Sequence, residues 1–160
     1  MAVINPELLR SKPQARPILI VEDNAMDLDF LLQALEENNV LNPLHICQDG
    51  EQALQFIDKH PTTHDPDLPV LVLMDLNLPR LDGAEVVRLA RQNSIWKQIP
   101  FILLSTSHQD HDISRAYELG VNSYVVKPLD FGAFVTVIKH IKLYWLQTSE
   151  PPFPELDGRR

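Results

Sequence analysis

Four apolar runs constrain this chain more than any other feature, because each one stops at a residue carrying charge or a hydroxyl. Ile18–Val21 runs into Glu22 and Asp23, and Val70–Met74 into Asp75. Phe101–Leu104 runs into Ser105, and Tyr124–Val126 into Lys127. Continuous apolar runs of this length read as strands buried on both faces, the habit of a parallel sheet covered by helices. Ligands of such sheets sit outside the carboxyl ends of the strands. Three carboxylates, a hydroxyl and an ammonium are therefore expected along one sheet edge. Carboxylates hold a hard cation, and a lysine and a hydroxyl complement an anion beside it. Mg²⁺ next to a phosphorylated carboxylate is the simplest chemistry that uses every piece.

Between these runs the spacing turns helical. Leu28, Leu31, Leu32 and Leu35 predict a helix over Ala25 to Asn38, and Asp23 or Asn24 is placed to cap it. Leu44 to Cys47 reads as a short strand, and Glu51 to Ile57 as a helix entered through Asp49-Gly50. Asp58 to Pro69 carries three prolines and reads as a loop. Helices are expected over Ala84 to Gln92, His111 to Leu119 and Asp130 to Leu146, with a strand over Ser123 to Val126. Five strand–helix units predict a doubly wound α/β fold, with right-handed crossovers that put all strand ends on one side. The expected organisation is a leader over residues 1–16, one domain over 17–146 and an extended, proline-containing tail over 147–160.

At 160 residues the chain is long enough for one domain with a real core. Its 44% apolar and 22% charged residues are those of a soluble globular protein, which predicts a cytoplasmic location. A net charge of −8 argues against nucleic acid or an anionic membrane as the partner. No run approaches membrane-spanning length, and the first residues lack a signal-peptide core. The single cysteine, Cys47, lies in a strand and reads as a buried free thiol. His108 and His111 match no strong zinc spacing, and the remaining histidines look incidental.

The chain resembles the receiver domain of two-component response regulators. The matching stretches are Val21-Glu22-Asp23-Asn24, Met74-Asp75-Leu76-Asn77-Leu78-Pro79, Leu81-Asp82-Gly83, Leu104-Ser105-Thr106-Ser107 and Val125-Val126-Lys127-Pro128. Within that family it looks like the single-domain response regulators of cyanobacterial phytochromes. That likeness is carried by Asp58 to Pro69, Ser105-Thr106-Ser107, Val121-Asn122-Ser123-Tyr124 and the extension past Leu146. The resemblance implies a flavodoxin-like five-stranded sheet of order 2-1-3-4-5. It makes Asp75 the phosphoacceptor. Asp23 and Asp75 become Mg²⁺ ligands with the backbone carbonyl of Asn77, and Glu22 acts through bound water. Lys127 bridges to Asp75 and the phosphoryl oxygens, delivered by a cis bond to Pro128. Ser105 is the switch hydroxyl, with serine where many relatives have threonine, and Thr106 guards the site. Tyr124 is either the aromatic switch or an ordinary half-buried strand tyrosine.

On this reading the chain is no conventional enzyme. It takes a phosphoryl group from a partner histidine kinase of phytochrome type and acts by protein contact, since little sequence follows Leu146. A degenerate receiver used as a scaffold is one alternative, against which all acceptor, metal and lysine positions are present. A Mg²⁺-dependent phosphatase is another. It would want an acid two residues after the nucleophile, where this chain has Asn77. A nucleotide-binding fold would want glycines after the first strand, where Glu22-Asp23-Asn24-Ala25 has none. The last helix carries two apolar stripes, Phe131, Val135, Ile138, Trp145 and Phe134, Val137, Ile141, Tyr144. The second predicts a homodimer interface, shared with the fourth helix and last strand, unless the tail folds back over it.

Overall fold

The computed structural model describes residues 15–157, apart from the side chains of Glu155 and Asp157. Most of the expected leader lies outside the described residues. Five strands alternate with five helices: β1 Ile18–Val21, α1 Ala25–Glu37, β2 Leu44–Cys47, α2 Gly50–Lys59, β3 Leu71–Asp75, α3 Gly83–Gln92, β4 Phe101–Ser105, α4 Asp110–Leu119, β5 Ser123–Val126 and α5 Phe131–Ile141. The strands form one parallel sheet of order β2-β1-β3-β4-β5. The doubly wound fold and the 2-1-3-4-5 order stand as expected.

Alternate residues along each strand point to opposite faces, as pleating requires. Leu19, Val21, Val72, Met74, Phe101 and Leu103 pack against α2, α3 and α4. Ile18, Ile20, Leu71, Leu73, Ile102 and Leu104 pack against α1 and α5. Because both faces are buried, these strands show no polar alternation in sequence. Among the described residues no helix is long and apolar enough to cross a membrane.

Three expectations are corrected. The buried stripe of α5 is Phe134, Ile138 and Ile141, so two of the four predicted interface residues belong to the core. The spacing i, i+4, i+7 keeps these three on one face, whereas dividing them between two stripes did not. Val137 is half-buried, and Leu143 and Tyr144 are exposed. Next, the tail expected to run extended closes in a short 3-10 turn over Pro154–Asp157 and, among the described residues, packs on the face opposite α5. After α5 the chain makes a wider π-helical turn over Lys142–Thr148, then crosses to the opposite face. There Phe153 and Leu156 pack against the α2–α3–α4 core. Arg16 anchors this crossing, because its guanidinium donates to Leu68 O, Pro69 O and Pro152 O. Finally, the loop expected from Asp58 begins at His60, because α2 continues through Lys59.

Candidate functional site

The sheet register brings the four run-ending positions to one level. Val21 pairs with Met74, Asp75 with Leu104, and Ser105 with Val126. Glu22, Asp75, Ser105 and Lys127 therefore emerge on a common rim. The Glu22 amide still bonds Cys47 O, and the Lys127 amide bonds Ser105 O at 2.7 Å. Both side chains thus leave from ordered, extended backbone.

Glu22, Asp23 and Asp75 each offer a carboxylate oxygen to a group whose atoms all lie within 4.8 Å of one another. Asp23 is exposed, Asp75 half-buried and Glu22 buried. The Lys127 ammonium stands among them, with a side chain only 11% exposed. Its Nζ lies 3.0 Å from Glu22 Oε2, 3.5 Å from Asp75 Oδ2 and 3.7 Å from Asp27 Oδ2. The shortest bridge is therefore to Glu22. The expected cis bond before Pro128 is a further correction: every described peptide is trans. The amide of Lys127 continues the β4–β5 ladder, and this alone aims the side chain at the rim.

Asp27 belongs to this rim, although sequence reading overlooked it. The signal was present. Asn24 Oδ1 accepts from the amides of Met26 and Asp27, capping α1. The N-cap spacing Asn24-x-x-Asp27 places the acid on the first turn. Glu22 Oε1 also accepts from the Asn24 amide at 3.1 Å, so cap and site share one turn. Asp75 Oδ1 accepts from the Asn77 amide at 3.3 Å. At Gly83, a Cβ would meet Asp75 O at 2.6 Å and Leu76 O at 2.9 Å. Only glycine lets α3 start this close to the end of β3.

Burial raises the Asp75 carboxyl above its ordinary value, against the pull of Lys127, and Asp23 pushes the same way. Burial also raises Glu22 against Lys127, with Asp75 adding to the rise. Burial lowers Lys127, but Asp75, Glu22 and Asp27 outweigh it and the net shift is upward. Apolar walls supply the desolvation, since Phe30, Leu31 and Phe134 line the cleft beside Asp75 and Lys127. The rim thus holds more negative charge than one ammonium balances. Such an all-oxygen donor set fits a small divalent cation.

The Ser105 side chain is buried, and its Oγ accepts from the Ser107 amide at 3.1 Å. Tyr124 is half-buried, and its hydroxyl donates to Ser107 O at 2.9 Å. Ser107 therefore links the two residues, and its own Oγ donates to Asp112 in the first turn of α4. Thr106 is exposed at the mouth of the cleft. His111 pairs with Asp112 on the surface and His108 takes no part in the rim, so neither reaches the acidic group.

The family model described as "Response regulator receiver domain" matches residues 18–139. The chain belongs to this family. It is 35% identical over 135 residues to Response regulator Rcp1 of Synechocystis, covering 84% of this chain and 92% of that one. The phosphorylated cyanobacterial phytochrome response regulator RcpA superposes with a TM-score of 0.78 at 33% identity, covering 86% of this chain and 99% of that one. The Mn²⁺-bound form of Rcp1 superposes at 0.75 with 34% identity, covering 86% and 99%. The chain is thus a response regulator receiver related to those of phytochromes, and relatives of this kind hold a divalent metal.

Proposed function

We propose that this receiver accepts a phosphoryl group on Asp75 from a phytochrome-type histidine kinase and acts as a stand-alone unit through protein contacts. The observation that carries the reading is the convergence of three carboxylates within 4.8 Å, with Lys127 Nζ 3.5 Å from Asp75. In the transfer the P–N bond of a phosphohistidine breaks, an Asp75 oxygen takes the phosphorus, and the imidazole departs. Asp23 and Asp75, with the Asn77 carbonyl and Glu22 through water, would hold Mg²⁺. Bound there, the ion supplies positive charge to the phosphoryl oxygens. Lys127 offers its ammonium to the same oxygens.

Before transfer, Lys127 is shared between Glu22, Asp27 and Asp75. Phosphorylation adds charge at Asp75 and draws the ammonium toward it. The Ser105 hydroxyl follows, and Ser107 passes the movement to Tyr124 and α4. The two-state equilibrium of the receiver shifts accordingly. The homodimer reading rests on the uncovered outer surface of the last helix, with Leu143, Tyr144 and part of Val137, rather than on Phe134 and Ile141. A cytoplasmic setting fits a kinase donor.

Incubation with a phosphorylated phytochrome kinase, followed by mapping of the modified residue, tests the proposal. Base-labile label on Asp75, absent in Asp75→Asn and in excess EDTA, is the expected result. Normal labelling of Asp75→Asn overturns it.

A further inference from the structure

At the opposite end of β3, below the amino ends of the strands, lies a second group of metal-ligating side chains. His60, Asp65 and Asp67 offer one donor atom each, and these atoms also lie within 4.8 Å of one another. Five residues of strand separate this group from Asp75, on the order of 16 Å. The two groups are therefore distinct.

Their chemistry differs as well. The rim offers only oxygen, whereas this group mixes an imidazole nitrogen with two carboxylates. Oxygen sets suit Mg²⁺, while imidazole shifts preference to Zn²⁺ and its neighbours in the first transition row. His60 Nδ1 stands 2.6 Å from Asp65 Oδ2, with side chains only 17% and 18% exposed. Asp65 Oδ1 accepts from the Asp67 amide at 2.9 Å, which brings the second carboxylate round to the first. Asp67 Oδ1 lies 3.3 Å from Nε2 of His45, on β2.

The shell behind these donors is ordered. The Phe56 ring lies between the two imidazoles, 5.2 Å from His45 and 4.3 Å from His60. The indole Nε1 of buried Trp96 donates to His60 O at 2.9 Å. The carbonyl and the ring of His60 are thus both held against the core.

We propose that His60, Asp65 and Asp67 bind a Zn²⁺-class ion, with His45 orienting Asp67 from behind. The ion takes the place of the hydrogen between His60 Nδ1 and Asp65 Oδ2, and the ring stays neutral with its proton on Nε2. Tetrahedral bonds of about 2.0–2.2 Å put neighbouring donors about 3.4 Å apart, so the pair opens by less than 1 Å. A fourth position stays open to water. The site joins the end of α2 to the loop before β3, and the ion fixes that connection.

Trp96 makes the test direct. The full chain is titrated with Co²⁺, a spectroscopic stand-in for Zn²⁺, in excess Mg²⁺ to occupy the acidic rim. In a Trp145→Phe background, which leaves Trp96 as the single indole, one equivalent of Co²⁺ quenches the emission, gives a visible tetrahedral band, and is displaced by Zn²⁺. Asp75→Asn leaves this binding intact. His60→Ala weakens it at least tenfold, and His45→Ala by roughly tenfold as a supporting neighbour. Should His60→Ala fail to fold, Asp67→Asn, on the exposed side, weakens binding by the same order. Phosphorylation of Asp75 persists in His60→Ala, which separates the two sites. Binding lost in Asp75→Asn, or equally strong in wild type, His60→Ala and Asp67→Asn, overturns the proposal.

Discussion

Charge is buried at both ends of the sheet, in opposite ways. At the carboxyl end, Lys127 faces three carboxylates, and a fourth, Asp23, stands close by. Near the amino end, the buried part of Arg91 meets almost only neutral acceptors. Its guanidinium donates to the carbonyls of Gly120, Trp96, Lys97 and Ile99 and to Asn122 Oδ1, at 2.7–3.1 Å, and lies 4.9 Å from the Phe101 ring centre. Burial alone pulls its pKa down, and it remains charged at any pH near neutral. The lower arrangement is satisfied and has nothing to exchange. The upper one carries uncompensated negative charge that only another cation relieves. One end holds the fold, and the other spends stability to stay responsive.

The sharpest way to break this contrast is to remove each cation. Arg91→Ala leaves five acceptors to find new partners and loses the ring contact. It is expected to cost about 3–5 kcal/mol in urea unfolding, with Asp75 phosphorylation intact in the folded fraction. Loss of phosphorylation without loss of stability would mean that Arg91 serves the site. Lys127→Ala leaves its carboxylates facing one another and is expected to cost about 3 kcal/mol in the metal-free protein. Mg²⁺ restores most of that loss and binds at least as tightly as in wild type, while signalling is abolished. Melting curves with and without Mg²⁺ check this. An equal deficit in both would make Lys127 a structural residue.

Asp75→Asn acts in the other direction. The folded Asp75 carboxyl sits above its ordinary value, so the native state binds its proton more tightly than the unfolded chain does. Its ionisation therefore costs stability as pH rises from the ordinary carboxylate range through the raised value. The asparagine variant is expected to match wild type below that window and to exceed it by about 1 kcal/mol above it. Melting across the acid range measures the crossover, and a variant less stable at neutral pH would refute it. Lys127 has the same sign in a different window: its pKa is also raised, so its contribution holds through neutral pH and is lost on the alkaline side, as pH rises above the ordinary lysine value. The smallest effect concerns Cys47, whose thiol burial pushes up to about 11. Alkylation of the native protein at pH 8 is expected to be far slower than after unfolding, and equal rates would disprove its burial.

Strand ends and their chemistry were legible in the sequence, because an apolar run and the residue that stops it are neighbours in the chain. So were the capped helices and the membership of Glu22, Asp23, Asp75, Ser105 and Lys127 in one rim. The same local rules let Asn24 announce its cap, and they held a signal for Asp27. Partner choice among those groups lay beyond them. Lys127 lies 105 residues from Glu22 and bonds it more closely than Asp75, a ranking set by three strands in register.

The last helix shows the same limit. Periodicity reveals that a helix is apolar on more than one side, but only the sheet beneath it selects Phe134, Ile138 and Ile141 for burial. The tail's crossing, held by Arg16 to carbonyls 52, 53 and 136 residues away, has no local signature. Nor does the meeting of His45 with the His60–Asp67 loop, which depends on β2 lying at the sheet edge beside it. Backbone form follows from neighbours in sequence, through sterics and short-range hydrogen bonds. Side-chain pairing follows from neighbours in space, and those exist only once the strands have closed into a sheet.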